Sequence, residues 1–450
     1  MVLDEDSIVA IATPPGHGGV GIVRLSGKKA LDIAHKICPQ LNNIKPRYAH
    51  FVSCVDEELQ VVDEGVILFF KGPHSYTGED VIEFQMHGSP WVLSELLRLC
   101  QHYGARMARA GEFTERAFLN NKMDLVQAEA VADLIQAQSA TAAKMASRTL
   151  QGRFSDYIHD IDEQLTQLRM YVESTIDFSD EALDWLEQYH WQQRLETILA
   201  TVIQIKNQAH QGVLLQQGLC IVLAGRPNVG KSTLMNVFAQ RDVAIVTEIA
   251  GTTRDVMRER VLLDDIPVML IDTAGLRQSD DVVEQEGIRR AWEAISHADL
   301  VLFLHDATQE NWTNDTLPQE VQDQLPSLTP VLHVLNKSDR LPQSGDESAE
   351  HVSISAKNNL GIEVLIKKMK SMLNIERQDS DFMARKRHVF IFNQVEQAIV
   401  EAIQQFHIHQ APDLLAEDLK AVHHLLSEIT GEFTSDDLLG EIFSHFCIGK

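Results

Sequence analysis

The feature that most restricts the fold is a glycine-rich segment that directly follows an apolar run. The run Leu219–Ala224 has the composition of a parallel strand covered on both faces. The next residues, Gly225–Ser232, fit the pattern G-x-x-x-x-G-K-[ST]. Small residues in such a loop let backbone N–H groups turn inward around phosphates, while its lysine suits the β/γ-phosphates and its serine suits Mg²⁺. The segment predicts a strand, a phosphate-binding loop and a helix.

Three further apolar runs of the same style follow it, at Val268–Ile271, Leu300–Leu304 and Val331–Leu335, with helical patterns between them. Alternating buried strands and helices are typical of a doubly wound α/β domain. We predict this domain over residues 216–378.

Polar motifs stand where two of these strands end. Asp272–Gly275 reads D-T-A-G, in which the aspartate can hold Mg²⁺ through water and the last amide can meet a γ-phosphate. Asn336–Asp339 reads N-K-S-D and ends another strand, where doubly wound sheets place their ligands. Its final carboxylate can accept hydrogen bonds from N1–H and the 2-amino group of guanine, and adenine offers neither donor. Order and spacing predict a GTPase of the Ras-like P-loop class.

The predicted nucleotide site combines the glycine-rich loop, a switch segment at Thr247–Asp255, the two strand-end motifs and a loop beside the base at Ser355–Lys357. Mg²⁺ is expected on Ser232 and Thr253. The residues predicted to contact GTP are Asn228, Val229, Gly230, Lys231, Ser232, Thr233, Thr247, Thr253, Asp272, Thr273, Ala274, Gly275, Asn336, Lys337, Asp339, Ser355, Ala356 and Lys357.

The residue that would orient the attacking water is left open by the motifs. Ras-type enzymes place a glutamine shortly after the D-x-x-G motif, but here Leu276 follows it, and a leucine cannot polarise water. The residues alone leave these alternatives: Gln278, Asp280, Asp281, Glu284 and Glu286.

The rest of the chain has two other compositions. Residues 1–120 mix short apolar runs with glycine and proline, which predicts a small α+β domain. Residues 121–215 and 379–450 carry apolar stripes at helical spacing, and two helical segments that flank one α/β unit predict a discontinuous all-α domain with the α/β domain inserted. The chain is therefore expected to be multidomain.

Charge and cysteine content limit the environment and the partners. With 39 Lys plus Arg and 65 Asp plus Glu among 450 residues, the net charge is −26. This argues against a broad cationic face, so any nucleic-acid contact is expected to be local or made through a partner. Five dispersed cysteines, an acidic start and the lack of a long apolar run predict a cytoplasmic protein without disulfides or a membrane span.

Several motifs together resemble one family, the tRNA-modification GTPases called MnmE or TrmE, over the whole chain. The matching segments are Ala12–Gly16, Gly78–Asp80, Gly111–Phe118, Gly251–Asp255, Asp272–Arg277, Ile429–Phe433 and Cys447–Lys450. The resemblance implies a homodimer that works with the FAD-dependent protein MnmG, in a heterotetramer or larger assembly. Together they would add an aminomethyl or carboxymethylaminomethyl group to C5 of the wobble uridine of certain tRNAs, with much of the tRNA contact on MnmG. The N-terminal domain would dimerise and bind a formyl- or methylene-tetrahydrofolate.

The resemblance also implies roles for individual residues. GTP hydrolysis would be activated by K⁺-dependent pairing of two α/β domains, residues 216–378 of each chain, here called G domains. Glu284 would be the catalytic glutamate, acting on the water indirectly, and Cys447 would act near the modification chemistry, with a buried structural cysteine as the alternative. The K⁺ ligands would be Asn228, Thr247, Ile249 and Thr252. The folate ligands would be Arg24, Glu83, Lys122 and Lys450.

Two other functions are alternatives. A ribosome-assembly GTPase is one, because Gly16–Gly19 fits the G-x-x-G loop of a KH domain, although the loop stands between predicted strands and has no lysine or arginine. A membrane-remodelling or scaffold GTPase is the other, since helical arms can oligomerise. No basic lipid-binding helix or anchor motif is visible in the sequence.

Overall fold

Packing contacts divide the chain into two compact units. The first unit consists of residues 1–132, 149–199 and 394–450, and the second of residues 133–148 and 200–393. The boundaries between the units fall inside helices, so the predicted domain limits stay a prediction. The computed structural model describes residues 6–137, 139–176, 186, 189–241, 258–263, 266–273, 289, 292–309, 312–326, 329–341, 351–373, 381–432, 436–444, 446, 447 and 449.

Short strands between glycine- and proline-containing turns form a six-stranded sheet in the first unit. The strands are β1 (Ser7–Ile11), β2 (Gly18–Ser26), β3 (His50–Val55), β4 (Val61–Phe70), β5 (Val81–Gly88) and β6 (Ala105–Met107). Their order is β3-β4-β5-β2-β1-β6. The β1–β6 pair is parallel and the other pairs are antiparallel.

Two helices cover one face of this sheet, α1 (Ala30–Ile37) and α2 (Pro90–His102). Ile33 of α1 and Leu96 of α2 lie in one buried cluster with Phe84 of β5. The helix α2 begins with a proline, whose missing N–H costs nothing in a first turn. A third helix, α3 (Glu112–Leu119), follows β6. The predicted α+β fold is confirmed.

Long helices follow, as the apolar stripes predict. They are α4 (Leu125–Gln136), α5 (Ala140–Leu150), α6 (Arg153–Ile176), α7 (Trp191–Gln217), α11 (Lys386–His409), α12 (Pro412–Thr430) and α13 (Asp436–Ser444). Within the first unit, α6 packs against α12. The predicted stripe on α6 is buried from Phe154 to Val172.

The second unit contains the predicted α/β fold. Its strands are β7 (Leu219–Gly225), β8 (Arg258–Leu263), β9 (Ile266–Asp272), β10 (Leu300–Asp306), β11 (Val331–Asn336) and β12 (His351–Ser353). Its helices include α8 (Lys231–Arg241), α9 (Gln319–Gln324) and α10 (Ile362–Met372). The sheet order is β12-β11-β10-β7-β9-β8, in which β8 and β9 are antiparallel and the other pairs are parallel.

Neighbouring residues of the central strand β7 point to opposite faces, and both faces are covered. Ile221 lies in a buried cluster with Phe238 of α8 and Leu365 of α10. Val222 lies in the opposite cluster with Val321 of α9. This explains why the strand is apolar at every position, since a strand with one solvated face would alternate.

Among the described residues, no helix is long and apolar enough to cross a membrane.

Candidate functional site

The carboxyl ends of four strands meet at one edge of the parallel sheet in the second unit. This is the edge at which open α/β sheets bind ligands. Paired residues at this edge are Leu223 with Asp272, Leu304 with Gly225, and Asp306 with Asn336.

The loop between β7 and α8 has a backbone that only certain residues accept. Gly225, Asn228 and Gly230 have φ values of 143°, 65° and 102°. A Cβ on Gly225 would lie 2.4 Å from the carbonyl oxygen of Leu304, and one on Gly230 would lie 2.2 Å from Nδ2 of Asn336. Both glycines are therefore required by close approach as well as by conformation.

Lys231 is held across this loop by neutral partners. Its Nζ donates to the carbonyl oxygen of Gly225 at 2.8 Å and to that of Arg226 at 3.2 Å. Burial lowers the pKa of Lys231, and the nearby carboxylate of Asp272 opposes this effect. A phosphate in the loop would supply a counter-charge directly to a cation that is 6% exposed.

Asn336 connects this loop to the loop that follows β12. Its Nδ2 donates to the carbonyl oxygen of Val229 at 2.7 Å, and its Oδ1 accepts from the backbone N–H of Ala356 at 3.0 Å. Asn336 is 3% exposed, so both groups are satisfied by protein. The predicted phosphate motif and the predicted base motif are thus joined by one amide.

Lys337 makes a second connection. Its Nζ donates to the carbonyl oxygen of Asn228 at 2.9 Å and to Oδ2 of Asp306 at 2.7 Å. Asp306 was not among the predicted residues. The signal was present, because Asp306 ends an apolar strand in the same way as Asp272 does.

Asp339 lies exposed beyond this pair, with its carboxylate oriented by a buried hydroxyl. The Oγ of Ser355 donates to Oδ1 of Asp339 at 2.6 Å. This hydrogen bond holds the pKa of Asp339 below its usual value, so the group is an ionised acceptor at neutral pH. Lys357, on the same loop as Ser355, is exposed.

The first turn of α8 presents the remaining described members of the predicted site. The side chains of Ser232 and Thr233 are exposed there. Thr273, directly after β9, donates its hydroxyl to the carbonyl oxygen of Leu223 at 3.0 Å. The other predicted residues lie outside the described part of the chain: Thr247, Ile249, Thr252, Thr253, Ala274, Gly275, Glu284 and Lys450.

A second polar site lies on the sheet of the first unit. Arg24 of β2 is the cross-strand partner of Glu83 of β5, and its Nε donates to Oε1 of that residue at 2.9 Å. The guanidinium lies 5.6 Å from the ring centre of Tyr76 and 5.8 Å from that of Phe113. Its Nη1 also donates to the carbonyl oxygen of Gly449 at 3.3 Å. The structure therefore brings together Arg24, Glu83 and Gly449 of the C-terminal motif.

Two other residues assigned by resemblance make different contacts. The Nζ of Lys122 donates to the carbonyl oxygen of Pro73 at 2.9 Å. The carbonyl oxygen of Cys447 accepts from the N–H of Gly111 at 3.4 Å. Cys447 is exposed, which argues against the alternative of a buried structural cysteine.

Family models match most of the chain. Residues 7–122 match the GTP-binding protein TrmE N-terminus, and residues 125–447 match the MnmE helical domain. The chain is 53% identical over 446 residues to a tRNA modification GTPase MnmE of Legionella pneumophila (strain Paris), covering 99% of each chain. The chain belongs to the MnmE family. A second relative of the same name, from Francisella tularensis subsp. holarctica (strain FTNF002-00 / FTA), is 48% identical over 455 residues and covers 99% of each chain.

Solved structures give a partial match. One is Era from Aquifex aeolicus bound to GDP·AlF₄⁻, at 25% identity and a TM-score of 0.25, covering 40% of this chain and 66% of that one. The assignment to the MnmE family stands on the family models and the full-length relatives, and it confirms the resemblance found in the sequence motifs.

Proposed function

We propose that this chain is a GTPase that acts in tRNA modification. The observation that carries the proposal is the double hydrogen bond of Asn336, which ties the loop at Val229 to the loop at Ala356 in a chain 53% identical to a tRNA modification GTPase. A phosphate cradle and a base-reading carboxylate at one sheet edge are what GTP requires.

Different residues of the site would contact the phosphates, the base and the metal ion of bound GTP. The loop Gly225–Gly230 and Lys231 would bind the phosphates, and Asp339 would select guanine over adenine. The exposed hydroxyl of Ser232 and the carboxylate at the end of β9, Asp272, are oxygen donors of the kind that Mg²⁺ prefers. Bound Mg²⁺ would neutralise charge on the β- and γ-phosphates, and we assign Thr253 as its second protein ligand.

We further propose that hydrolysis depends on K⁺ and on the pairing of two G domains in a homodimer. Asn228 supports this assignment, because its side chain is exposed on the phosphate-binding loop, where its amide oxygen is accessible to an ion from solvent. Its φ of 65° is a left-handed conformation. K⁺ would supply positive charge where other GTPases use an arginine finger. The remaining ligands in this proposal are Thr247, Ile249 and Thr252, and Glu284 would act on the water indirectly.

The modification itself is proposed to require an FAD-dependent partner, MnmG, and a tetrahydrofolate derivative. Glu83, which accepts a hydrogen bond from Arg24, fits the pterin ring of a folate, since a carboxylate can accept from the amide-like edge of a pterin; cations elsewhere in the set suit the glutamate tail. Lys122 and Lys450 complete the proposed folate set, and Cys447 is proposed near the same chemistry. The product would be an aminomethyl or carboxymethylaminomethyl group on C5 of the wobble uridine. With a net charge of −26, this chain would leave much of the tRNA contact to MnmG in the cytoplasm.

The test is mass analysis of wobble uridines in tRNA from cells that lack this protein. We expect the modified uridine to disappear, to return with the wild-type gene, and to stay absent with a Lys231→Ala gene. Unchanged uridines would overturn the proposal. If immature ribosomal subunits accumulated instead, the ribosome-assembly alternative would replace it. If the uridines were unchanged and the purified protein bound liposomes, the membrane alternative would be favoured.

A further inference from the structure

The phosphate-binding loop has an anchor that belongs to none of its motifs. The guanidinium of Arg226, the second residue of the loop, forms an ion pair with Asp315 in which Nη2 and Oδ1 are 2.5 Å apart. Asp315 follows a short 3₁₀ turn, Trp312–Asn314, in the connection between β10 and α9. The Arg226 side chain is 63% exposed, but that of Asp315 is 7% exposed, so the loop reaches a nearly buried carboxylate.

The second oxygen of this carboxylate faces the interior of the sheet. Oδ2 of Asp315 lies 3.4 Å from Nδ1 of His305, and Nε2 of the same imidazole lies 2.9 Å from Nδ1 of His333. His305 is fully buried on β10, and His333 stands on the neighbouring strand β11. A carboxylate only accepts, so Nδ1 of His305 carries the proton, and Nε2 of the neutral ring then accepts from His333. The pair fixes the orientation of the Asp315 carboxylate.

Arg226, which forms this ion pair through its side chain, also contacts Lys231 through its backbone. The carbonyl oxygen of Arg226 accepts from Nζ of Lys231 at 3.2 Å. Farther along the loop, the carbonyl oxygens of Asn228 and Val229 are held by the N-K-S-D motif. The loop is thus fixed near both ends, and Asp315 supplies the anchor near its start.

We propose that Asp315 is a positioning residue for nucleotide binding, which acts through Arg226 on the phosphate-binding loop and is itself oriented by the His305–His333 pair. The proposal rests on the proposed function, since it takes GTP as the ligand. A loop that is less well fixed loses contacts to the α- and β-phosphates, which GTP and GDP share. Ground-state binding should therefore weaken for both nucleotides while kcat at saturation changes little.

The test compares Asp315→Asn with wild type and with Asp323→Asn. Asp323 is an exposed aspartate on α9 that accepts a hydrogen bond from Gln319, so its variant is a matched control. We expect Kd for GTP and for GDP to rise about tenfold in Asp315→Asn, as when a charged hydrogen bond is lost, with kcat within about twofold of wild type. Asp323→Asn should keep both wild-type Kd values. Wild-type affinities in Asp315→Asn would overturn the proposal.

An arginine variant separates positioning from a general loss of stability. Arg226→Gln should raise both Kd values about as much as Asp315→Asn, and the double variant should be no worse than either single one. Arg226→Lys keeps a cation and should recover part of the affinity. Additive effects in the double variant would contradict the proposal. If Asp315→Asn fails to fold, Arg226→Gln tests the same ion pair, because the Arg226 side chain is exposed. If the wild-type protein itself did not bind guanine nucleotides, the proposed function would fail. If the wild type binds them and Asp315→Asn binds them equally well, only the positioning role fails.

Discussion

The side-chain amide of Asn336 donates a hydrogen bond to the carbonyl oxygen of Val229 across 2.7 Å, although 106 residues separate them in sequence. Both residues are buried, so water cannot replace either partner of this hydrogen bond if the other is removed. The geometry of the phosphate-binding loop therefore depends on the residue that begins the base-binding motif.

Replacement of this amide should reduce both stability and affinity. Asn336→Ala leaves the carbonyl of Val229 and the N–H of Ala356 unpaired, at about 1–3 kcal/mol each in the free energy of unfolding. We expect a lower urea midpoint and GTP affinity reduced by tenfold or more on the scale of about 1.4 kcal/mol per decade. The variant Asn336→Asp keeps an acceptor for Ala356 but sets a buried carboxylate oxygen against the carbonyl oxygen of Val229, so at neutral pH it should be no more stable than Asn336→Ala. Equal stabilities of all three proteins would contradict this account.

The exposed carboxylate of Asp339 should determine the choice of base. Asp339→Asn replaces an acceptor by a donor at a position already oriented by Ser355. We expect GTP affinity to fall by about tenfold or more and xanthosine triphosphate to bind better than GTP, because its 2-oxo group can accept from the new amide. Competition between the two nucleotides measures this directly. An unchanged preference for GTP would remove Asp339 from the base site.

Asn228 offers a test of the K⁺ assignment that does not disturb the loop. Its φ of 65° would strain an alanine, whereas glycine adopts this conformation freely. Turnover of the wild type should be faster in KCl than in NaCl at equal ionic strength, and Asn228→Gly should remove most of that difference. The backbone is kept, so GTP affinity in NaCl serves as the control. Equal wild-type turnover in the two salts would exclude the assignment.

The sequence predicted backbone features better than side-chain partnerships. Continuous apolar runs and the glycine pattern of the loop are local, so the strands, the loop and the helix after it could be placed from spacing alone. Asp315 and Arg226 are 89 positions apart, and no local pattern links them. Their contact exists only because the strand order brings β7 next to β10. Lys122 illustrates the same limit, since its resemblance-based role did not reveal its contact with Pro73.

The cross-strand pair Arg24–Glu83 allows a matched test of folate binding. Glu83→Gln keeps an oxygen to accept from Nε of Arg24 but loses the charge and one acceptor. We expect affinity for a tetrahydrofolate derivative to fall about tenfold, in the range of a lost charged hydrogen bond, while GTP affinity stays at the wild-type value. Titration with formyl- and methylene-tetrahydrofolate measures the folate affinity, and titration with GTP provides the control. Unchanged folate affinity would show that Glu83 is not a ligand.

Two glutamates of α3 should give opposite pH dependence of stability. Glu112 is 1% exposed, and although burial disfavours its charge, hydrogen bonds from Arg106, the backbone of Arg109 and Arg116 lower its pKa. A lowered folded-state pKa adds stability above the unfolded value, near 4.5, and this stability is lost as the pH falls through the folded value. Glu112→Gln should therefore lower the free energy of unfolding by about 1–2 kcal/mol at neutral pH, because the charged hydrogen bonds from Arg106 and Arg116 become weaker neutral ones. The loss should be smaller below about pH 4, and it stays moderate because Arg116 keeps its ion pairs with Asp6 and Glu79.

Glu115, one turn away, provides the contrasting case. Burial raises its pKa, and the nearby guanidinium of Arg109 opposes this only in part. A raised folded-state pKa means that the folded protein binds the proton more tightly, so the carboxyl of Glu115 costs stability as the pH rises above about 4.5. Glu115→Gln should remove that loss and leave stability equal to or above wild type at pH 7. Urea unfolding of both variants at several pH values is the measurement, and parallel curves for Glu112→Gln and Glu115→Gln would contradict the assignment of opposite shifts.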